Sequence, residues 1–227
     1  MADWLAAAPE TLRQALLEQI AAEIRETSAT TGCYELSETV RQALMAVPRH
    51  RFVSDERQEW AYANIPLPIG RGQTISQPFI VALMTGLLLP DPAATVLEIG
   101  TGSGYQAAVL AGLVRQVYSI ERIPELARTA AQRLRDMNID NVAIRVGDGG
   151  QGWKEHAPFD GIMVTAAAPN IPPALVQQLK PGGRLVIPVG EPGRTQDLQV
   201  IHKDGQGAVF SRSVLPVVFV PLIQNPE

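Results

Sequence analysis

The stretch Val96-Leu97-Glu98-Ile99-Gly100-Thr101-Gly102-Ser103-Gly104-Tyr105 joins a short apolar run to a helical pattern through three alternating glycines. Glycine lets a chain leave a strand sharply and pass close to a ligand, so this segment reads as strand, binding loop and helix start. Outward from it the same alternation continues. Thr95 to Ile99 and Gln116 to Ile120 read as strands, with a helix over Tyr105 to Val114 between them. A charged helix over Pro124 to Met137 leads to strands at Val142 to Val146 and Gly161 to Val164. A helix over Pro172 to Leu179, closed by the turn Lys180-Pro181-Gly182-Gly183, precedes a fifth strand at Arg184 to Val189. Strands separated by helices imply a parallel sheet with right-handed crossovers. The end differs. Asp197 to His202 and Ala208 to Leu215 flank a turn with an Asp-Gly pair, Asp204-Gly205, so an antiparallel element closes the sheet.

Before the alternation lies other material. Leu12, Leu16, Leu17, Ile20 and Ile24 recur at helical spacing, and a second helix starts after Ser37 and stops at Pro48. These helices form a cap over residues 1–60, ahead of an α/β core at 61–227, within a single domain. Asn64 to Gln77 is rich in proline and glycine and reads as an ordered loop, leading into a helix over Phe79 to Leu89. The chain has 227 residues, 46% of them hydrophobic, a net charge of −4, one cysteine and three scattered histidines. Those figures exclude an internal disulfide and a cysteine metal cluster, and argue against a broad nucleic-acid footprint. No apolar run is long enough for a membrane span, and the first ten residues lack signal-peptide order, so a cytoplasmic protein without metal is expected.

The glycine loop also satisfies a relaxed dinucleotide pattern. Two features favour another ligand. Glu98 immediately precedes Ile99-Gly100, where an anion disfavours a pyrophosphate and suits a cation, and the spacing Gly100, Gly102, Gly104 departs from the usual dinucleotide run. S-adenosylmethionine, with an ammonium and a sulfonium and no phosphate, fits both. Glu121 ends the second strand, where an acid accepts ribose hydroxyls, and Asp148-Gly149 follows the third. Any one acid at a strand end can be a mere surface charge; three at successive ends point to a site.

On these residues the chain resembles the protein-L-isoaspartate O-methyltransferases. The resemblance covers about Val47 to Leu222. It is carried by Val47-Pro48-Arg49, Pro66-Leu67-Pro68-Ile69-Gly70, Gly72-Gln73-Thr74-Ile75-Ser76-Gln77-Pro78, the glycine loop, Phe159-Asp160-Gly161-Ile162 and Pro216 to Leu222. The loop before the glycines discriminates, since other methyltransferases share only the remainder. The resemblance implies a Rossmann-like class I methyltransferase sheet and methyl esterification of isoaspartyl residues in damaged proteins and peptides, initiating repair. It places Ser76 at the active site and Thr74, Ile75 and Gln77 beside the cofactor, with Glu98, Gly100, Gly102, Gly104, Glu121, Asp148 and Gly149. Thr165, Val218 and Val220 are expected near the peptide, no nucleic acid or membrane is expected as partner, and the chain is expected to be monomeric. Ala63 stands where the family often has an acid, and residues before Leu36 match poorly.

Ser76 and Thr165 remain open at this point. Each hydroxyl suits a substrate carboxylate, but Ser76 also reads as a helix N-cap and Thr165 as a strand-end residue. Rivals lack their marks. Thr165-Ala166-Ala167-Ala168-Pro169 replaces the Asp/Asn-Pro-Pro-aromatic run of amino-methylating nucleic-acid enzymes, and Cys33 lies outside the core that a cytosine C5 enzyme would need. A small-molecule or other protein methyltransferase, a non-catalytic cofactor-binding adaptor and a dehydrogenase are the alternatives.

Overall fold

The computed structural model describes residues 4–223. Helix α1 (Trp4–Glu26) leads through the one-turn α2 (Ser28–Thr31) to α3 (Glu38–Ala46). Leu16, Leu17, Ile20 and Ile24 are buried as their spacing predicts, whereas Leu12 stays exposed. Ser37 caps α3, its hydroxyl accepting from the Val40 N–H at 3.3 Å. The segment expected as a loop is instead a small hairpin. In it β1 (Leu67–Gly70) and β2 (Gln73–Ile75) pair antiparallel, with Leu67 opposite Ile75. Pro66 and Pro68 hide it in the sequence, yet a two-stranded ribbon is all edge and tolerates the missing donors.

Helix α4 (Pro78–Leu88) is buried along nearly its whole length. Then β3 (Thr95–Ile99), α5 (Tyr105–Ala111), β4 (Gln116–Glu121), α6 (Pro124–Asp136), β5 (Val142–Val146) and β6 (Phe159–Val164) follow. Helix α7 (Pro173–Gln177), β7 (Leu179–Val189), β8 (Gln196–Lys203) and β9 (Val209–Val217) complete the chain. The seven strands lie in the order β5-β4-β3-β6-β7-β8-β9. Those from β5 to β7 are parallel, and β7-β8-β9 antiparallel.

Lys180 to Gly183 fall within the span of β7 but bulge out of its pairing: Phe159 faces Leu179 and Gly161 faces Arg184, so these four residues stand opposite the single Asp160 of β6, and Gly182 turns with φ +83°.

The sheet is covered on both faces. Val96, Met163 and Val186 share one core with α1, α3, α4 and α5, so the N-terminal helices pack into the main core. Leu97, Ile99, Ile120 and Ile162 pack on the other side with Leu175 of α7. No described helix is long and apolar enough to cross a membrane. Strand order reverses around β3, so the carboxyl ends of β3, β4 and β6 open into one crevice, the usual ligand position in such sheets.

Candidate active site

The crevice is built around backbone. Gly100 leaves β3 with φ +95°, and a Cβ there would stand 2.4 Å from Thr165 Oγ1. Only glycine fits both the conformation and the space. Gly104, at φ +88°, is the residue from which α5 starts, and a Cβ on it would press on Ala130 of α6 at 3.2 Å. Two side chains then lock the loop. Thr165 Oγ1 donates towards Gly100 O at 2.7 Å and Ile99 O at 3.0 Å, tying the end of β6 to the end of β3. Glu121 accepts from the Gly102 N–H through Oε2 at 2.7 Å and from the Ile123 N–H through Oε1 at 2.8 Å. Its carboxylate thus fixes both the glycine loop and the entry to α6.

Three adjoining hollows share these walls. One runs along Glu121, Gly149, Gly100 and Gly102 to Leu222. Gly149 is packed tightly, since a Cβ there would meet Ile99 Cγ2 at 2.2 Å. A second hollow passes Thr74, Ile75, Ser76, Gly100, Gly102 and Gln106. The third is a cavity of about 420 Å³ between Ser76, Gln77, Phe79 and the strip Leu215 to Val220. Thr74 and Thr165 line all three, Ser76 lines the second and third, and Val220 lines the first and third.

Ser76 does not cap α4. That position belongs to Gln77, and the Phe79 N–H is satisfied by Asn64 Oδ1 at 2.9 Å. Among the described residues the Ser76 hydroxyl has no hydrogen-bond partner, so it faces the junction of two hollows with its proton uncommitted. Val218, 76% exposed, lines the same large cavity. The strip is stitched to the sheet: Ala167 N donates to Val220 O at 2.8 Å, and Leu222 N to Ala167 O at 2.7 Å.

A family model described as protein-L-isoaspartate (D-aspartate) O-methyltransferase matches residues 6–227. The chain belongs to that family. It is 57% identical over 210 residues to protein-L-isoaspartate O-methyltransferase 2 of Syntrophobacter fumaroxidans, covering 92% of this chain and 85% of the relative. A solved protein-L-isoaspartate O-methyltransferase superposes with a TM-score of 0.80 at 27% identity, over 92% of this chain and 65% of the other. A Plasmodium falciparum structure described by the same name, in complex with S-adenosyl-L-homocysteine, superposes with a TM-score of 0.75 at 26% identity. That match covers 94% of this chain and 99% of the other.

Not every residue expected at the site of this methyltransferase lines it. Glu98 lines none of the three hollows. It is fully buried on the α4–α5 side of β3, where Ser119 Oγ donates to its Oε2 and Oε1 finds no partner. Ser119 Oγ also lies 2.6 Å from Thr101 Oγ1, so the chain of contacts reaches the glycine loop from beneath. Burial, offset in part by the Ser119 bond and aided by the nearby Glu121, pushes the Glu98 carboxyl up to about 8. Gly104 acts as helix start, and Asp148 accepts from the Gly150 N–H at 2.9 Å, shaping the turn that presents Gly149.

One residue lines the site without having been anticipated. Glu23 of α1 lines the large cavity and accepts from Asn64 Nδ2 at 2.6 Å. Arg49 lines none of the hollows; fully buried, it donates to Ile65 O at 3.2 Å and lies 5.2 Å from the Tyr105 ring centroid, tying the segment before the hairpin to the start of α5. Desolvation lowers its guanidinium to about 10. Nothing local in the sequence marks Glu23.

Proposed function

We infer that this protein methyl-esterifies the free α-carboxylate of L-isoaspartyl residues in damaged proteins and peptides, using S-adenosylmethionine and initiating repair. The observation that carries this reading is the uncommitted Ser76 hydroxyl at the junction of the glycine-loop hollow and the peptide-sized cavity. The residues present fit the cofactor. Gly100 and Gly102 offer backbone without Cβ, and Glu121 keeps lone pairs for ribose hydroxyls after accepting from two backbone N–H groups. When bound, the cofactor supplies an electrophilic sulfonium methyl.

The chain's own contribution is to hold and align. An isoaspartyl residue routes its backbone through the side-chain carbonyl and leaves the α-carboxylate free. That group, with a pKa of about 3.3–3.7, is ionised at neutral pH, so no general base is needed to create the nucleophile. Ser76 donates to one carboxylate oxygen and points the other towards the glycine loop. Thr165 forms the wall between the ligands while its own proton stays on Gly100 O. Well-aligned groups reach effective molarities of about 10⁵–10⁸ M, enough for positioning to be the main lever. Val218 and Val220 bear on the peptide, and Thr74, Ile75, Gln77 and Gly149 on the cofactor. The amide nitrogen of the following residue can then attack the ester carbonyl, closing a succinimide and releasing methanol.

We take the chain as one domain with a helical cap, acting as a cytoplasmic monomer without nucleic-acid or membrane partners. Packing of α1 and α3 on α4 supports the first point, and the net charge of −4 the lack of a nucleic-acid partner. The test is direct. The protein is mixed with methyl-labelled S-adenosylmethionine and matched aspartyl and isoaspartyl peptides, and base-labile label is counted. Label on the isoaspartyl peptide alone is expected; comparable kcat/KM for both peptides overturns the reading.

A further inference from the structure

The large cavity is apolar or neutral along almost all of its wall. The exception is Glu23, the one charged side chain among its lining residues, delivered by the N-terminal helix from outside the α/β core. Its placement is built. Oε2 accepts from Asn64 Nδ2 at 2.6 Å, and the same amide's Oδ1 receives the Phe79 N–H at 2.9 Å, so the carboxylate is anchored to the start of α4, three residues beyond Ser76. Among the described residues its other oxygen accepts no bond and no cation pairs with it within 4.0 Å. Glu26, one helical turn on, adds to the negative field.

A peptide in this cavity brings one obligatory negative charge, the isoaspartyl carboxylate. Flanking residues bring whatever charge they carry, and those reaching Glu23 meet a fixed anion with no internal counter-ion. We propose that Glu23 is a specificity-determining residue that selects isoaspartyl sites by the charge of their neighbours, favouring a flanking lysine, arginine or amino terminus and disfavouring a flanking acid. This rests on the methyl-transfer reading of the site above. Discrimination comes from both directions at once, attraction of the cation and repulsion of the acid. The carboxylate is half-buried at a cavity edge, which places the effect in the range of partly solvated ion pairs.

The experiment uses the full chain, labelled S-adenosylmethionine and three isoaspartyl peptides that differ only in flanking lysine, alanine or glutamate, with the change placed on either side in turn. The reading is the lysine-to-glutamate ratio of kcat/KM. For the parent protein a ratio of roughly three- to tenfold is expected, shrinking as ionic strength rises from about 0.02 to 0.5 M. Glu23→Gln keeps an oxygen for Asn64 while removing the charge, and its ratio should fall towards one whatever its absolute rates. A loss of stability or positioning alone would lower all three peptides together and leave the ratio intact; that result overturns the proposal, as does a parent ratio near one. The alanine peptide separates the two levels of inference. If the parent leaves it unlabelled, the methyl-transfer reading itself fails; if it is labelled while lysine and glutamate peptides react alike, only the role of Glu23 fails.

Discussion

The two halves of the crevice treat their polar groups differently. On the glycine-loop side nearly everything is already satisfied internally: both Glu121 oxygens hold backbone N–H groups, and the Thr165 proton sits on Gly100 O. On the side of the large cavity, among the described residues, Ser76 has no partner, one Glu23 oxygen is open and Val218 is exposed. A ligand that is always the same can be met by a rigid, self-bonded cradle. A ligand whose sequence varies is met by a few open groups on a looser wall. The first arrangement minimises reorganisation on binding, and the second leaves donors available to whatever arrives.

The largest expected effect strikes the rigid half. Gly100→Ala forces a Cβ to 2.4 Å from Thr165 Oγ1 at φ +95°, and should weaken S-adenosylmethionine binding by roughly 100-fold or more in calorimetry. Binding within a few-fold of the parent would mean that the cradle is less rigid than its hydrogen bonds imply. Ser76→Ala tests the open half. It should lower kcat by roughly 10–10³-fold while cofactor affinity and the pH dependence of kcat from about 5 to 9 stay as in the parent. Ser76→Thr retains the hydroxyl and should recover part of the loss. A titrating limb that disappears in Ser76→Ala would instead assign it to proton transfer.

Glu121→Ala should cost about 1.5–3 kcal/mol of cofactor affinity, through lost ribose contacts and a loosened Gly102. Glu121→Gln should be no gentle substitute, because its amide NH₂ would face one of the two N–H donors. Unchanged affinity in both variants would break the comparison on the cofactor side.

The smallest effect concerns Glu98, raised by burial to about 8. A carboxyl whose folded pKa exceeds its unfolded value stabilises the fold below the unfolded value and loses that contribution as pH rises through the folded one. Parent stability should therefore decline relative to Glu98→Gln as pH rises from about 4.5 to about 8, and level off above that. Parallel denaturation midpoints across that range would mean that Glu98 titrates normally.

Much of the core was legible because its signals are local. β3 and β5 match their sequence reading residue for residue, since short apolar runs bounded by glycine or polar residues admit few alternatives. The β1–β2 hairpin was hidden by its prolines. Glu98 was read as ligand-facing from its place before the glycines. Both faces of a parallel strand are covered, so alternation alone does not say which face meets the ligand. Glu23 was out of reach because its partner Asn64 lies 41 residues away in sequence.

The strip from Val218 to Leu222 has a consequence for how the two ligands report on each other. Val220 stands against both the glycine-loop hollow and the peptide cavity, and its carbonyl is pinned to Ala167. It is a party wall, so a push from either room is felt in the other. Any shift of this strip that one ligand induces changes the affinity for the second, and linkage makes that change reciprocal. Peptide affinity measured with the methyl donor bound and with the demethylated product bound will therefore differ by the same factor as donor and product affinities differ in their response to peptide.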